Sequence, residues 1–127
     1  MFVINAMKNI LIVEDYVDAR NYMTLLLESV GYRVYEANNG LEGIQIAKKW
    51  HPDLILMDIS MPIMDGLEAT RIIRKSNNVL RKTPIIAITA FGEDYRQMAI
   101  NAGCNYLIAK PVDFDELELL LKKYLDF

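Results

Sequence analysis

Disulfides are out of reach for this chain, because its 127 residues include one cysteine, Cys104. A lone thiol builds no covalent framework. With a single histidine, His51, the spacing of a structural zinc site is missing too. Both features suit a reducing, cytoplasmic setting. Positive charge is not in excess. Lys and Arg number 14 against 17 Asp and Glu, a net charge of −3, which argues against a nucleic-acid partner. No apolar run approaches the roughly 18 residues of a membrane span. The opening segment MFVINAMKN is apolar but too short for a secretory signal, and its first charge, Lys8, follows the apolar part. Residues 1–7 are expected to form an extension, with Met7 able to serve as a second start. Linker-like, repeated and low-complexity stretches are absent, which leaves one domain over residues 8–127.

What is present is a set of short, continuous apolar runs: Ile10–Val13, Leu54–Met57, Ile85–Ile88 and Leu107–Ala109. Runs of this length predict strands covered on both faces, as in a parallel sheet. Residues 33–37 (RVYEA) mix polar and apolar side chains and predict an edge strand. Helical stripes lie between the runs. Ala19, Met23, Leu26, Leu27 and Val30 form the first, ended by Gly31. Ile44, Ala47 and Lys48 lie in the second, between the turn Asn38-Asn39-Gly40 and Pro52. Ala69, Ile72 and Ile73 mark the third. Tyr95, Met98, Ala99 and Ala102 mark the fourth, stopped by Gly103. Phe114, Leu117, Leu120, Leu121 and Tyr124 mark the fifth, with Asp113 placed to cap it. Five strand–helix units in alternation predict an α/β fold, a doubly wound parallel sheet with right-handed crossovers.

Ligands of such sheets bind at the carboxyl ends of the strands. The first strand leaves in Glu14-Asp15, the third in Asp58, the fourth in Thr89 and the fifth in Lys110-Pro111. Taken singly, each has an ordinary explanation: acidic residues favour a helix start, and an Asp, Thr or Lys can serve a turn. Taken together, four strand ends gather three carboxylates, a hydroxyl and an ammonium. Carboxylates roughly 4 Å apart repel by about 4 kcal/mol at an effective dielectric near 20. Lys110 offsets part of this, and a divalent cation with oxygen ligands, Mg²⁺, suits the remainder.

With those residues placed, the segments ILIVEDY, DLILMDISMPIMDGLEATRIIR, PIIAITA and AGCNYLIAKPVDFDEL resemble the receiver domain of response regulators, the chemotaxis-regulator-like fold of two-component signalling. The resemblance runs from Lys8 to about Tyr124. It implies a flavodoxin-like five-stranded sheet of order 2-1-3-4-5 with five helices. It implies that Asp58 is the phosphoacceptor, that Asp15 binds Mg²⁺ directly and Glu14 through water, and that the Ser60 carbonyl is a further ligand. Thr89 would bond the phosphoryl group, Lys110 would pair with its charge, and the Lys110–Pro111 peptide would be cis. The implied donor is a phosphohistidine on a histidine kinase or histidine phosphotransfer protein, or a small acyl phosphate. The output is altered partner binding through the face of helix 4, strand 5 and helix 5. Such a domain is no enzyme beyond its own phosphoryl transfer and dephosphorylation, and is expected as a monomer or weak dimer.

One position departs from the family pattern. An aromatic commonly stands three residues before the strand-5 lysine, and here Leu107 does. Tyr106 is adjacent, but strand alternation turns it to the other face. Two competing functions are disfavoured. A small aspartyl-phosphate phosphohydrolase would place a second Asp where this chain has Ser60. A flavodoxin-like electron carrier would place a Ser/Thr/Gly-rich loop where Glu14-Asp15-Tyr16-Val17-Asp18 stands. His51 reads as a turn residue, Trp50 as a cover for the second helix, and Cys104 as packed and inert.

Overall fold

The apolar runs form the strands expected of them. In the computed structural model, which describes residues 7–125, β1 spans Asn9–Val13, β2 Arg33–Ala37, β3 Leu54–Asp58, β4 Ile85–Thr89 and β5 Tyr106–Ala109. All pairings are parallel and the order is β2-β1-β3-β4-β5. The mixed-polarity strand β2 lies at an edge, as its composition demands. β3 and β4 are buried at every position. The helices between them are α1 (Val17–Ser29), α2 (Gly40–Trp50), α3 (Gly66–Arg74), α4 (Arg96–Ala102) and α5 (Phe114–Leu125). Of the expected N-terminal extension, residues 1–6 lie outside the described residues, and Met7 is half exposed.

The pleat sorts the core into two layers. Leu11, Val13, Ile55, Met57, Ile85, Ala87 and Leu107 pack with residues of α2, α3 and α4. Ile10, Ile12, Leu54, Leu56, Ile86, Ile88 and Ile108 pack with Met23 and Leu27 of α1 and with Leu117, Leu120 and Leu121 of α5. Leu107 and Tyr106 therefore belong to opposite layers, as expected.

Local chemistry sets the helix ends. Asn39 caps α2 by accepting the Glu42 N–H at 2.9 Å, and Asp65 caps α3 by accepting the Glu68 N–H at 2.9 Å. Gly31 (φ 102°) and Gly103 (φ 116°) follow α1 and α4 in the left-handed region, where glycine carries no Cβ penalty. Three stripe residues are more exposed than their apolar character suggests. Val30 caps the end of α1 rather than lying within it. Ile72 sits about 100° around α3 from the buried Ile73. Met98 lies within a helix of 7 residues whose inward positions are the small Ala99 and Ala102. Tyr95 closes a 3-10 turn (Gly92–Tyr95) ahead of α4 instead of opening the helix. Trp50 stacks on Tyr35 with ring centroids 5.3 Å apart, at the end of α2 as anticipated. Cys104 is buried, and burial pushes its thiol pKa up, which disfavours the reactive thiolate.

Candidate functional site

Register brings the acidic residues together. Val13 pairs with Met57, so the next residues, Glu14 and Asp58, face each other across adjacent strands. Asp58 pairs with Ile88, which pairs in turn with Ile108, two residues before Lys110. Glu14, Asp58 and Lys110 line one cavity of about 320 Å³ with Ile12, Leu56 and Ile88, on the α1/α5 side of the sheet. Thr89 follows the opposite parity, with Ala87 and Ile85, toward the α2–α4 layer.

The ammonium of Lys110 lies 2.8 Å from Glu14 Oε1 and 3.4 Å from Asp58 Oδ2. Glu14 uses its other oxygen to accept the Tyr16 N–H at 3.1 Å. The Ser60 N–H donates to Asp58 Oδ1 at 3.2 Å. Asp15 stays exposed, and its carboxylate has no hydrogen bond or ion pair among the described residues. Thr89 is fully buried, and its Oγ1 accepts the Phe91 N–H at 3.0 Å. The Lys110–Pro111 peptide is cis. Asp58, Glu14 and Lys110 are thus in contact, Asp15 stands beside them, and Thr89 is engaged with its own loop.

The electrostatics follow from crowding. Burial, together with the hydrogen bond and like charge of Glu14, pushes the Asp58 carboxyl up to about 7, against the opposing pull of Lys110 and the Ser60 N–H. Burial alone would raise Glu14 as well. Its hydrogen bonds with Asp58, Lys110 and Tyr16 outweigh that and hold it below the usual carboxylate range. Burial would lower Lys110, yet its bond to Glu14 and the two negative charges hold the ammonium above its ordinary range. The pair of carboxylates therefore retains one proton near neutrality, and one ammonium does not satisfy the cluster.

A metal fits where the ammonium falls short. Among the described residues, carboxylate oxygens of Glu14, Asp15 and Asp58 lie within 4.8 Å of one another. Hard oxygens at that spacing, with one carboxylate open to water, match a divalent cation that keeps part of its hydration shell.

The loop beyond Asp58 is held tightly. A Cβ on Gly66 would collide with the Asp58 carbonyl oxygen, so only glycine lets α3 start this close to the strand. Ile63 adopts φ 70°, a left-handed conformation costly for a β-branched residue, at the exposed tip of that loop.

Sequence reasoning missed Arg20. Its Nη1 donates to the Glu14 carbonyl oxygen at 2.8 Å. The only signal was a charge next to Ala19 on the inward stripe.

Comparison with known proteins agrees with this geometry. Residues 10–122 match the family described as the response regulator receiver domain. The polar-differentiation response regulator DivK of Brucella ovis is 38% identical over 119 residues, covering 93% of this chain and 96% of DivK. The hybrid signal transduction histidine kinase G of Dictyostelium discoideum is 42% identical over 118 residues, 91% of this chain but 3% of that kinase. Among solved structures, the receiver domain of a Pseudomonas aeruginosa sensor histidine kinase, with a magnesium ion coordinated in its active-site cleft, superposes with a TM-score of 0.84 at 37% identity, covering 94% of this chain and 98% of that one.

Proposed function

This chain belongs to the response regulator receiver domain family of two-component signalling, and from that premise we propose that it is a switch that accepts a phosphoryl group on Asp58. The observation that carries the reading is the placement of one buried carboxylate, Asp58, beside a second carboxylate and within 3.4 Å of an ammonium, on the lining of a cavity. The donor is a phosphohistidine of a histidine kinase or histidine phosphotransfer protein, or a small acyl phosphate. An Asp58 oxygen forms the new P–O bond as the bond from phosphorus to the donor nitrogen or oxygen breaks. The leaving group keeps that electron pair and takes its proton from solvent.

Glu14, Asp15 and Asp58, with the Ser60 carbonyl, would hold Mg²⁺. When bound, the ion supplies a positive charge that polarises the phosphoryl oxygens. Both oxygens of Glu14 are already engaged, by Tyr16 and Lys110, which favours its acting through water. Asp15 is uncommitted, which favours direct ligation. Lys110 stabilises the charge on the transferring group. The domain performs its own phosphoryl transfer and dephosphorylation and turns over no other substrate. Residues 8–127 form a single receiver domain.

The response passes from Thr89 toward α4 and β5. The Thr89 Oγ1 accepts the Phe91 N–H and keeps its own proton to donate to a phosphoryl oxygen, at the root of the loop carrying the tilted ring pair Phe91 and Tyr95. Arg96 links that segment to β5, with its guanidinium over the Tyr106 ring at 5.2 Å. Leu107 is 1% exposed in the packed layer with Ala99 and Ala102, so movement of α4 replaces an aromatic rotation here. Leu107→Tyr is expected to overpack that layer and lower stability by about 1–3 kcal/mol, read from the denaturant midpoint.

The test is incubation with Mg²⁺ and acetyl phosphate, followed by intact-mass analysis. Wild type gains one labile phosphoryl group, and Asp58→Asn gains none. Equal labelling of the two proteins overturns the assignment. Among the described residues no helix is long and apolar enough to cross a membrane.

A further inference from the structure

We propose that Arg20 is the positioning residue that sets Asp15 for the divalent cation. The inference rests on the magnesium reading above and extends it to a residue outside the ligand set. The oxygen gripped by Arg20 Nη1, at 2.8 Å, belongs to the peptide unit that joins Glu14 to Asp15. Peptide units are planar and stiff. Holding that oxygen therefore fixes the plane from which the Asp15 Cα and its carboxylate project. Glu14 is oriented by its own side-chain bonds to Lys110 and Tyr16. Asp15 has no such partner among the described residues, so its direction comes from the backbone, and Arg20 is the side chain that holds that backbone.

The guanidinium is buried beside an opposite charge. The Arg20 side chain is 12% exposed, and its Nε lies 3.9 Å from Glu36 Oε1 on β2, an ion pair beyond hydrogen-bond distance. The other Glu36 oxygen accepts the Thr24 hydroxyl of α1 at 2.6 Å. The Arg20 N–H bonds the Tyr16 carbonyl at 3.0 Å, which anchors the residue in the opening turn of α1. One planar group thus hydrogen-bonds the β1–α1 loop and sets its charge against Glu36 of β2. Lys110 and Arg20 divide the work differently. Lys110 occupies carboxylate oxygens that a cation also needs. Arg20 brings positive charge to a carbonyl and leaves those oxygens free.

Calorimetric titration of Mg²⁺ into the full chain tests this, with wild type, Arg20→Met and Glu36→Gln. In Arg20→Met the Mg²⁺ Kd is expected to rise about tenfold, the size usual for a residue that orients a metal ligand. Glu36→Gln moves it the same way by less. With acetyl phosphate, the Mg²⁺ concentration giving half the maximal rate rises in step, while the rate at saturating Mg²⁺ stays close to wild type. Loss of a positive charge would by itself tighten Mg²⁺ binding, so the rise is not a through-space charge effect, and it persists at about 0.5 M salt, where such effects are screened. If wild type binds Mg²⁺ and Arg20→Met binds it equally well, or the difference vanishes at high salt, the positioning role is overturned and the magnesium reading stands. If wild type takes up no Mg²⁺, both fall. Should Arg20→Met fail to unfold cooperatively, Glu36→Gln decides, and an unchanged Kd there overturns the proposal.

Discussion

Lys110→Met is expected to slow the phosphorylation of Asp58 by acetyl phosphate about 10²–10³-fold, the cost of removing one preorganised charge-stabilising donor. The same variant is not expected to bind Mg²⁺ more weakly. The two results together identify the role. The Lys110 ammonium lies 2.8 Å from Glu14 and 3.4 Å from Asp58, so it competes with a metal for the same oxygens. Removing it frees those oxygens, so the metal Kd holds or falls. The rate drops because the negative charge of the transferring phosphoryl group loses its partner. Stopped labelling followed by intact mass gives the rate, and calorimetry gives the affinity. A rate that falls only in proportion to lost Mg²⁺ affinity would reduce Lys110 to a structural counter-ion. An unchanged rate would remove it from the mechanism.

The sheet was legible because its information is one-dimensional. Ile10–Val13, Leu54–Met57 and Ile85–Ile88 are apolar at consecutive positions, too short for a buried helix and rich in β-branched residues, and a strand covered on both faces buries every residue of such a run. Once strand ends are located, parallel register places Glu14 beside Asp58 and Lys110 two strands further along. Side-chain pairing was not legible in the same way. Nothing in the order of residues says that Lys110 reaches Glu14 more closely than Asp58, because that depends on rotamers and on the turn after β5. Nor does the sequence separate the fates of neighbouring acids. Glu14 is buried and doubly bonded while Asp15 is exposed, because the chain leaves the sheet between them. Arg20 was hidden for a further reason. Its partner is a backbone oxygen, and backbone acceptors exist at every position. The exposed Met98 and Ile72 mark the reverse limit, where apolar character overstated burial.

Without metal, the protein is expected to lose stability as pH rises from about 5 to 8, and Asp58→Asn is expected to abolish most of that loss. The folded protein holds the Asp58 proton up to about 7, whereas the ordinary value is 3.8. A raised carboxyl pKa means that the native state binds the proton more tightly than the unfolded chain. Its contribution is complete below the unfolded pKa and is lost as pH rises through the folded one. Glu14 runs the other way, but its depressed pKa acts below its ordinary 4.5, outside this window. Lys110 acts above its ordinary 10.5. His51 is present in both proteins, so their comparison cancels it. At pH 8 Asp58→Asn should be more stable than wild type by an amount of order 2 kcal/mol, or about 7 °C in melting temperature, and the gap should close toward pH 5. Mg²⁺ should narrow the gap at pH 8 by binding wild-type carboxylates in the folded state alone. Thermal melts in chelator and in Mg²⁺ across that range read all of this. A wild-type melting temperature that is flat from pH 5 to 8 without metal, or an Asp58→Asn protein no more stable than wild type at pH 8, would mean that the carboxylates do not repel, and the physical reason for a cation at this site would be gone.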